Sequence, residues 1–453
     1  MKWGEDLFKA SSTFYDNDIA LLSAALSTAA YNGSQSDGYY IYNAYNELGF
    51  KDENISLYSY PGHRLNNPTN LSGMNDDSLS FSIASMSIKY GNLLVITLRG
   101  TKNIPFSMDF INDINADSTD FLGVKAHKGF YTFFTDVQRA LLDYAEQHPA
   151  IESGNLKILV TGHSLGAAGA NLLGAWFNNP RNNWALQSDV FAYTFASPNT
   201  YCGKSPDVGE CSNIFNIVHE EDPVPKLPFA NNALDAIFNP WKKFGTTKSF
   251  NTGEFVLGVL ITKAMKFHPP KVYINAVEQK LIAQGSATGI GAVVACPVDV
   301  EVYDKTGAIV GRVTNNIVDV SVSKILLHVI DDVKYIFLPN EDGYSMKLNA
   351  TDNGNMTYGV WKYSYESNEP LEQKVFQNVS LSPGKQMTSD IVGGVAVPDV
   401  KLLVLDTSGT PVKEVLTNGT EQTYVPLAVK WWQNLPSWLQ WILRYVFFGW
   451  IWM

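Results

Sequence analysis

Apolar and polar positions follow different periods in the two parts of this chain. Up to about residue 282, short runs of β-branched and aliphatic residues alternate with segments whose apolar positions recur every third or fourth residue. That is the pattern of buried strands followed by helices. Lys157–Thr161 reads as a buried strand, and Leu165–Phe177 reads as a helix from Leu165, Ala168, Leu172, Leu173 and Trp176. Asn92–Leu98 and Ile214–Val218 are further buried strands, residues 19–31 an amphipathic first helix, and "KVYI" an apolar strand preceded by a short loop with His268. Such alternation predicts an α/β domain.

Past "AQGSATGIGA" (residues 283–292), which reads as a linker or turn region, period-two alternation takes over. The segments "VDVEVYDKTGAIVGRV", "VKYIFLP", "YSMKLNA", "MTYGVWKYSY" and "QKVFQNVSL" predict a small antiparallel sandwich. Its Val302-x-Asp304-x-x-Gly307-x-x-Val310-x-x-Val313 pattern recurs as Val404-x-Asp406-x-x-Gly409-x-x-Val412-x-x-Val415, both reading as hairpins. The second copy either opens another β unit or adds strands to the first. The expected organisation is 1–282 (α/β), 293–395 (β-rich accessory domain), 396–428 (a second short β unit) and 431–453 (a hydrophobic Trp-rich tail).

The junction between the 157–161 strand and the 165–177 helix holds Gly162-His163-Ser164-Leu165-Gly166. A Ser at a helix start is an ordinary cap. A Gly-flanked Ser between a strand and a helix is also what a nucleophile elbow requires, because the glycines permit the tight turn. The helix N-terminus behind it offers free N–H groups to developing negative charge. A nucleophilic Ser needs a base and an orienting carboxylate, which follow it in that fold in the order acid, then His. Of seven histidines, only His268 and His328 follow a suitable acid, and His328 falls in the β-rich region, which leaves His268 as base. Glu220, Glu221 and Asp222 follow the Ile214–Val218 strand, at the sheet edge where open α/β folds build their sites. Asp222 is preferred because Pro223 and Pro225 stiffen its loop, with Glu221 in reserve and His219 in a structural role. The elbow supplies one oxyanion donor, the Leu165 N–H. Thr101, after the Asn92–Leu98 strand, offers an N–H and a hydroxyl for the second, though "RGT" also reads as a plain strand-ending turn.

"ITLRGT", "AHKGFYTFF", "VTGHSLGAAGA", "FASPNTY" and "HEEDPVPKLP" occur in that order, and His268 follows. Together they resemble the class 3 lipases, the fungal-lipase-like branch of the α/β-hydrolases, over about residues 15–280. The resemblance implies Ser164 as nucleophile, Asp222 as acid and His268 as base, with Thr101 and Leu165 forming the oxyanion hole. It implies hydrolysis of carboxylic esters, commonly acylglycerols, without a cofactor. The chain departs from that pattern in the 45 residues between Asp222 and His268, which read either as a cap over an acyl site or as core helices. Residues 102–121 carry Ile104, Phe106, Met108, Phe110, Ile111 and Ile114 beside Asp109, Asp113, Asp117 and Asp120. With the resemblance, this segment reads as a mobile lid; without it, as a helix packed on the core.

Composition narrows the partners. At 453 residues, 45% of them hydrophobic, the chain is long enough for two or three domains. A net charge of −11 with no basic cluster excludes nucleic acid as a partner and favours neutral lipid or soluble esters over anionic membranes. No Cys or His cluster has metal-ligand spacing, so no catalytic metal is expected. Cys202 and Cys211 could form a small disulfide in an exported protein, while Cys296 reads as a free, buried thiol. Glu5, Asp6, Asp16 and Asp18 precede the apolar 19–31 stretch, which therefore does not read as a signal peptide. The expected location is secreted or cell-surface associated with any signal already removed; a cytoplasmic one is also compatible. The tail "WWQNLPSWLQWILRYVFFGWIWM" reads as self-docking, as an interfacial or partner contact, or as a bilayer span. The ordered Ser, Asp, His and Thr set points to a lipase rather than a non-catalytic surface-binding protein. A short-chain esterase or an acyltransferase would use the same triad.

Overall fold

A computed structural model describes residues 4–31, 39–59, 63–64, 79–100, 117–152, 155–204, 206–228, 239–252, 265–282, 288–330, 332–339, 343–364, 370–391 and 396–424. Thr101, residues 102–116 of the expected lid, about half of the insertion before His268 (229–238 and 253–264) and the Trp-rich tail lie outside the described residues; the end of the expected lid, Ser118–Phe121, is a strand and not part of a lid.

The first part is built on a mixed sheet of β1 (Ile55–Ser59), β2 (His63–Arg64), β3 (Phe81–Ile88), β4 (Gly91–Leu98), β7 (Leu156–His163), β8 (Val190–Phe195), β10 (Ile214–His219) and β11 (Thr246–Phe250). Their order is β11-β10-β8-β7-β4-β3-β1-β2, parallel from β11 to β4 and antiparallel beyond. β5 (Ser118–Phe121), β6 (Val124–His127) and β9 (Tyr201–Cys202) form a small separate sheet. The central strands read as continuous apolar runs because both faces are covered. On one face α3 (Lys128–Gln147) and α4 (Leu165–Phe177) bury Phe130, Phe133, Phe134, Val137, Leu141, Leu172 and Leu173. The other face is covered by α1 (Asn17–Ala29), α2 (Tyr39–Glu47) and α5 (Pro270–Glu278), which bury Ile19, Leu22, Leu26, Tyr45, Tyr273 and Val277. This is a three-layer arrangement, a mixed sheet with helices on both faces.

Three expectations change here. "KVYI" is not a strand but the start of α5: Pro270 sits at its first helical position, and Tyr273, Ala276 and Val277 recur at helical spacing. Residues 288–292 are not linker but belong to a strand, β12 (Thr288–Ala295), central in its sheet. Its glycines accommodate neighbouring rings: a Cβ on Gly291 would stand 2.2 Å from the Trp361 ring, and one on Gly289 2.4 Å from the Tyr363 hydroxyl. Cys202 and Cys211 are buried and not joined to each other by a disulfide, Cys296 is buried as well, and Cys211 packs within the core over α4.

β12 is flanked by β17 (Val333–Pro339) and β19 (Gly354–Ser364), with β16 (Leu326–Ile330) and β20 (Glu372–Leu381) outside them, all antiparallel. A second antiparallel sheet runs β15 (Ile317–Val318), β14 (Ile309–Thr314), β13 (Val298–Tyr303), β18 (Tyr344–Ala350), β21 (Gln386–Ile391), β22 (Leu402–Leu405), β23 (Pro411–Val415), β24 (Glu421–Thr423). Ala292, Val294, Ile336 and Val360 of the first sheet share one core with Val300, Leu348, Met387 and Leu402 of the second. Strands β22 to β24 join this sheet through the pairing of β21 with β22.

The echoed patterns form matching hairpins, β13–β14 and β22–β23. Asp304 accepts from the N–H groups of Thr306 (2.9 Å) and Ala308 (3.0 Å), and Asp406 from those of Ser408 (2.8 Å) and Thr410 (2.9 Å). The turn after β23 reaches across to β20: Gln377 N donates to Thr417 O at 2.9 Å. Gly419 lies so close that a Cβ there would be 2.3 Å from Asn378 O.

Candidate active site

Local sequence fixes the Ser164 backbone. β7 runs directly into α4, and the turn between them puts Ser164 at φ 58°, ψ −127°, a strained conformation for a residue with a side chain. Gly162 and Gly166 make it possible. A Cβ on Gly166 would lie 2.3 Å from Leu98 O, and one on Gly162 2.5 Å from Gly166 O. The elbow is thereby pressed against the end of β4. Leu165, the first residue of α4, has an N–H at the helix end where no intrahelical acceptor exists.

The structure brings three of the sequence-derived residues together. Ser164 Oγ is 2.8 Å from His268 Nε2, and His268 Nδ1 is 2.8 Å from Asp222 Oδ2. Each arrives on a different element: Ser164 on the elbow, Asp222 on the loop after β10, His268 on the turn before α5. All three are buried, Asp222 completely. Burial alone would raise the Asp222 carboxyl pKa. The charge and hydrogen bond of His268, the Tyr273 hydroxyl (2.5 Å to Oδ2) and the Val224 N–H (3.0 Å to Oδ1) outweigh that and hold it below the usual carboxylate value. Of the two acids considered, Asp222 is thus the one at the histidine. Glu221 instead donates its backbone N–H to His219 Nδ1 at 3.0 Å. His219 is buried and stacked on Phe267 with ring centroids 4.3 Å apart.

Several contributors have no motif of their own. His163 sits behind the elbow, its Nε2 donating to His268 O at 2.7 Å and its Nδ1 accepting from the Tyr31 hydroxyl at 3.0 Å. Burial, reinforced by the neighbouring His268, lowers its pKa to about 3, so its ring stays neutral. Tyr273, one turn into α5, bonds Asp222 and also accepts from His219 N at 3.2 Å. Lys226 donates to Glu220 O (2.6 Å) and Asp222 O (3.3 Å), and Lys243 to Pro225 O and Asn199 Oδ1 (both 2.7 Å). Burial, with Lys226 beside it, lowers the Lys243 pKa to about 7. His163 was visible as the variable residue of the Gly-x-Ser-x-Gly turn. Tyr273 and the lysines carry no spacing signal.

Geometrically, the hydroxyl, imidazole and carboxylate form one hydrogen-bonded line that could pass a proton, with the N-terminus of α4 at Ser164. Among the described residues no group of three or more His, Cys, Asp or Glu could hold a metal ion, and no helix is long and apolar enough to cross a membrane.

Residues 95–232 match the family described as Lipase (class 3), the family to which the ordered motifs pointed. A lipase of Rhizomucor miehei is 31% identical over 141 residues, covering 30% of this chain and 37% of that protein. The chain therefore matches little more than a third of the length of this curated relative. Among solved structures, a triacylglycerol lipase described as having a serine protease triad as its catalytic centre aligns with 52% of this chain and 80% of its own, at 21% identity and a TM-score of 0.36. A lipase of Rhizopus microsporus var. chinensis aligns with 53% and 76%, at 19% identity and a TM-score of 0.34.

Proposed function

With the class 3 lipase match over residues 95–232 as premise, we propose that this chain is a serine carboxylic ester hydrolase acting on acylglycerols. The reading rests on one observation, the unbroken hydrogen-bond line from Ser164 Oγ through His268 to Asp222. In this reading His268 Nε2 takes the Ser164 proton as Oγ attacks the ester carbonyl, and Asp222 stabilises the imidazolium that forms. The Leu165 N–H, with Thr101 as second donor, receives the oxyanion; each such donor is worth about 10²–10³ in rate. His268 then protonates the departing alcohol. Water, activated by the same ring, releases the carboxylic acid and restores Ser164.

The proposal extends to the rest of the chain. Residues 1–282 form the catalytic unit, and 288–424 a single sandwich-like accessory module that takes in both β units expected from sequence. Residues 102–116 act as a lid, residues 431–453 contact a lipid interface, and the protein works outside the cell.

Hydrolysis of a chain-length series of nitrophenyl esters, below and above their solubility limits, tests the reading with wild type and Ser164→Ala side by side. Ser164-dependent activity that jumps when droplets form supports a lipase with an opening lid. Ser164-dependent activity on dissolved short esters alone makes the protein an esterase. Equal behaviour of the two proteins overturns the serine-hydrolase reading.

A further inference from the structure

The loop carrying Asp222 is held from two sides. Within the catalytic unit, Lys226 and Lys243 fasten its carbonyls, and Asn199 N donates to Leu227 O at 2.6 Å. On the other side, Leu227 enters one buried cluster with Val293, Tyr335 and Trp361 of β12, β17 and β19. Those three residues alternate with Ala292, Ile336 and Val360, which face the sandwich core, so they lie on the outer face of the five-stranded sheet.

That face is unusual for its position. The outer face of an antiparallel sheet is normally solvated and polar. Here Val293 and Tyr335 are paired across strands and at most 2% exposed, and Phe337, Tyr363 and Val375 pack around them. Gly291 pairs with Trp361, and its missing Cβ leaves room for the indole across β12. What this face receives, among the described residues, is Leu227, five positions after Asp222. Between the two lie Pro223 and Pro225, whose fixed φ angles limit how far the loop can flex between them.

We propose that the outer face of the five-stranded sheet is a positioning surface for the acid loop: by holding Leu227, the β module keeps Asp222 aimed at His268. Leu227 and Trp361 touch no reacting atom, and they act through the position of the carboxylate. This inference rests on the ester-hydrolase reading. Displacements of about 1 Å in a catalytic constellation can cost on the order of 10² in rate.

The test uses the full chain with Leu227→Ala, Trp361→Ala and the double variant, assayed on a dissolved nitrophenyl ester. Labelling of Ser164 by an aryl phosphonate is followed in parallel. Expected are kcat losses of about 10–100-fold with KM nearly unchanged, equally slowed labelling, and a double variant no worse than the worse single one. Leu227→Met should recover most of the rate. If an alanine variant fails to fold, Leu227→Val and Trp361→Phe replace it and should give smaller losses of the same kind. Folded variants with wild-type kcat, or losses that multiply in the double variant, overturn the proposal. Wild-type hydrolysis that does not depend on Ser164 overturns instead the reading on which it rests.

Discussion

His163 is the residue that most alters the view of the elbow. Its neutral ring spans Tyr31 and the backbone carbonyl of His268, holding His268 from behind. Its native pKa of about 3 lies below the ordinary histidine value of 6.5. Between those limits the unfolded chain holds a proton that the native protein does not. Its contribution to stability is therefore complete above about pH 6.5 and is lost as pH falls toward 3, with a slope of up to about 1.4 kcal/mol per pH unit. Urea unfolding at pH 7 and pH 4 should show this decline, and His163→Gln should flatten it. A second expectation concerns Tyr273, whose hydroxyl is one of the donors that keep Asp222 ionised in a fully buried place. Hydrogen bonds to charged groups are worth about 1.5–3 kcal/mol. Tyr273→Phe should therefore lower kcat/KM by about tenfold or more while Ser164 remains open to phosphonate labelling, as steady-state kinetics would reveal. Neither role was legible in the sequence. Ser164, His268 and Asp222 were, because motif, chain order and sheet edge each constrain a position. Tyr273 meets Asp222 only through the packing of α5, and nothing in a single sequence records that.

At the scale of elements, legibility followed the length of the pattern. β7 and α4 were readable as a buried run followed by a helical repeat, and Leu165–Phe177 keeps the bounds expected for it. Four apolar residues, "KVYI", are too few to separate a strand from a helix; the prolines before them were the better signal. The Gly-rich stretch into β12 looked like a linker because composition does not record that its missing side chains are replaced by Trp361 and Tyr363. Both glycine arrangements make predictions. Gly166→Ala would drive a Cβ into the backbone of β4 and should abolish activity and lower the melting temperature. Gly291→Ala meets a movable ring instead; it should lower stability by about 1–3 kcal/mol, measured by denaturant titration, with the elbow geometry intact.

For the whole molecule, the charge of −11 sets the terms of any encounter with a surface. Adding anionic lipid to a neutral-lipid emulsion should slow hydrolysis at low ionic strength, and salt should restore the rate, because screening shortens the reach of the repulsion. A rate indifferent to salt in such a titration would assign adsorption to apolar contact alone.

The closeness of Gly419 to β20 bears on how many copies of the protein travel together. A ten-residue strand at the rim of a sheet is a template on which a neighbour's strand can add. Here the template is met from within, by the turn between β23 and β24 that follows the second of the two matching hairpins. Both copies of the Asp-x-x-Gly pattern build sheet, and the chain leaving the second one turns back to shield a rim. Displacing that turn with Gly419→Val should leave ester turnover intact yet make light scattering rise with protein concentration. Monodispersity would then depend on a glycine in another part of the chain from Ser164, Asp222 and His268.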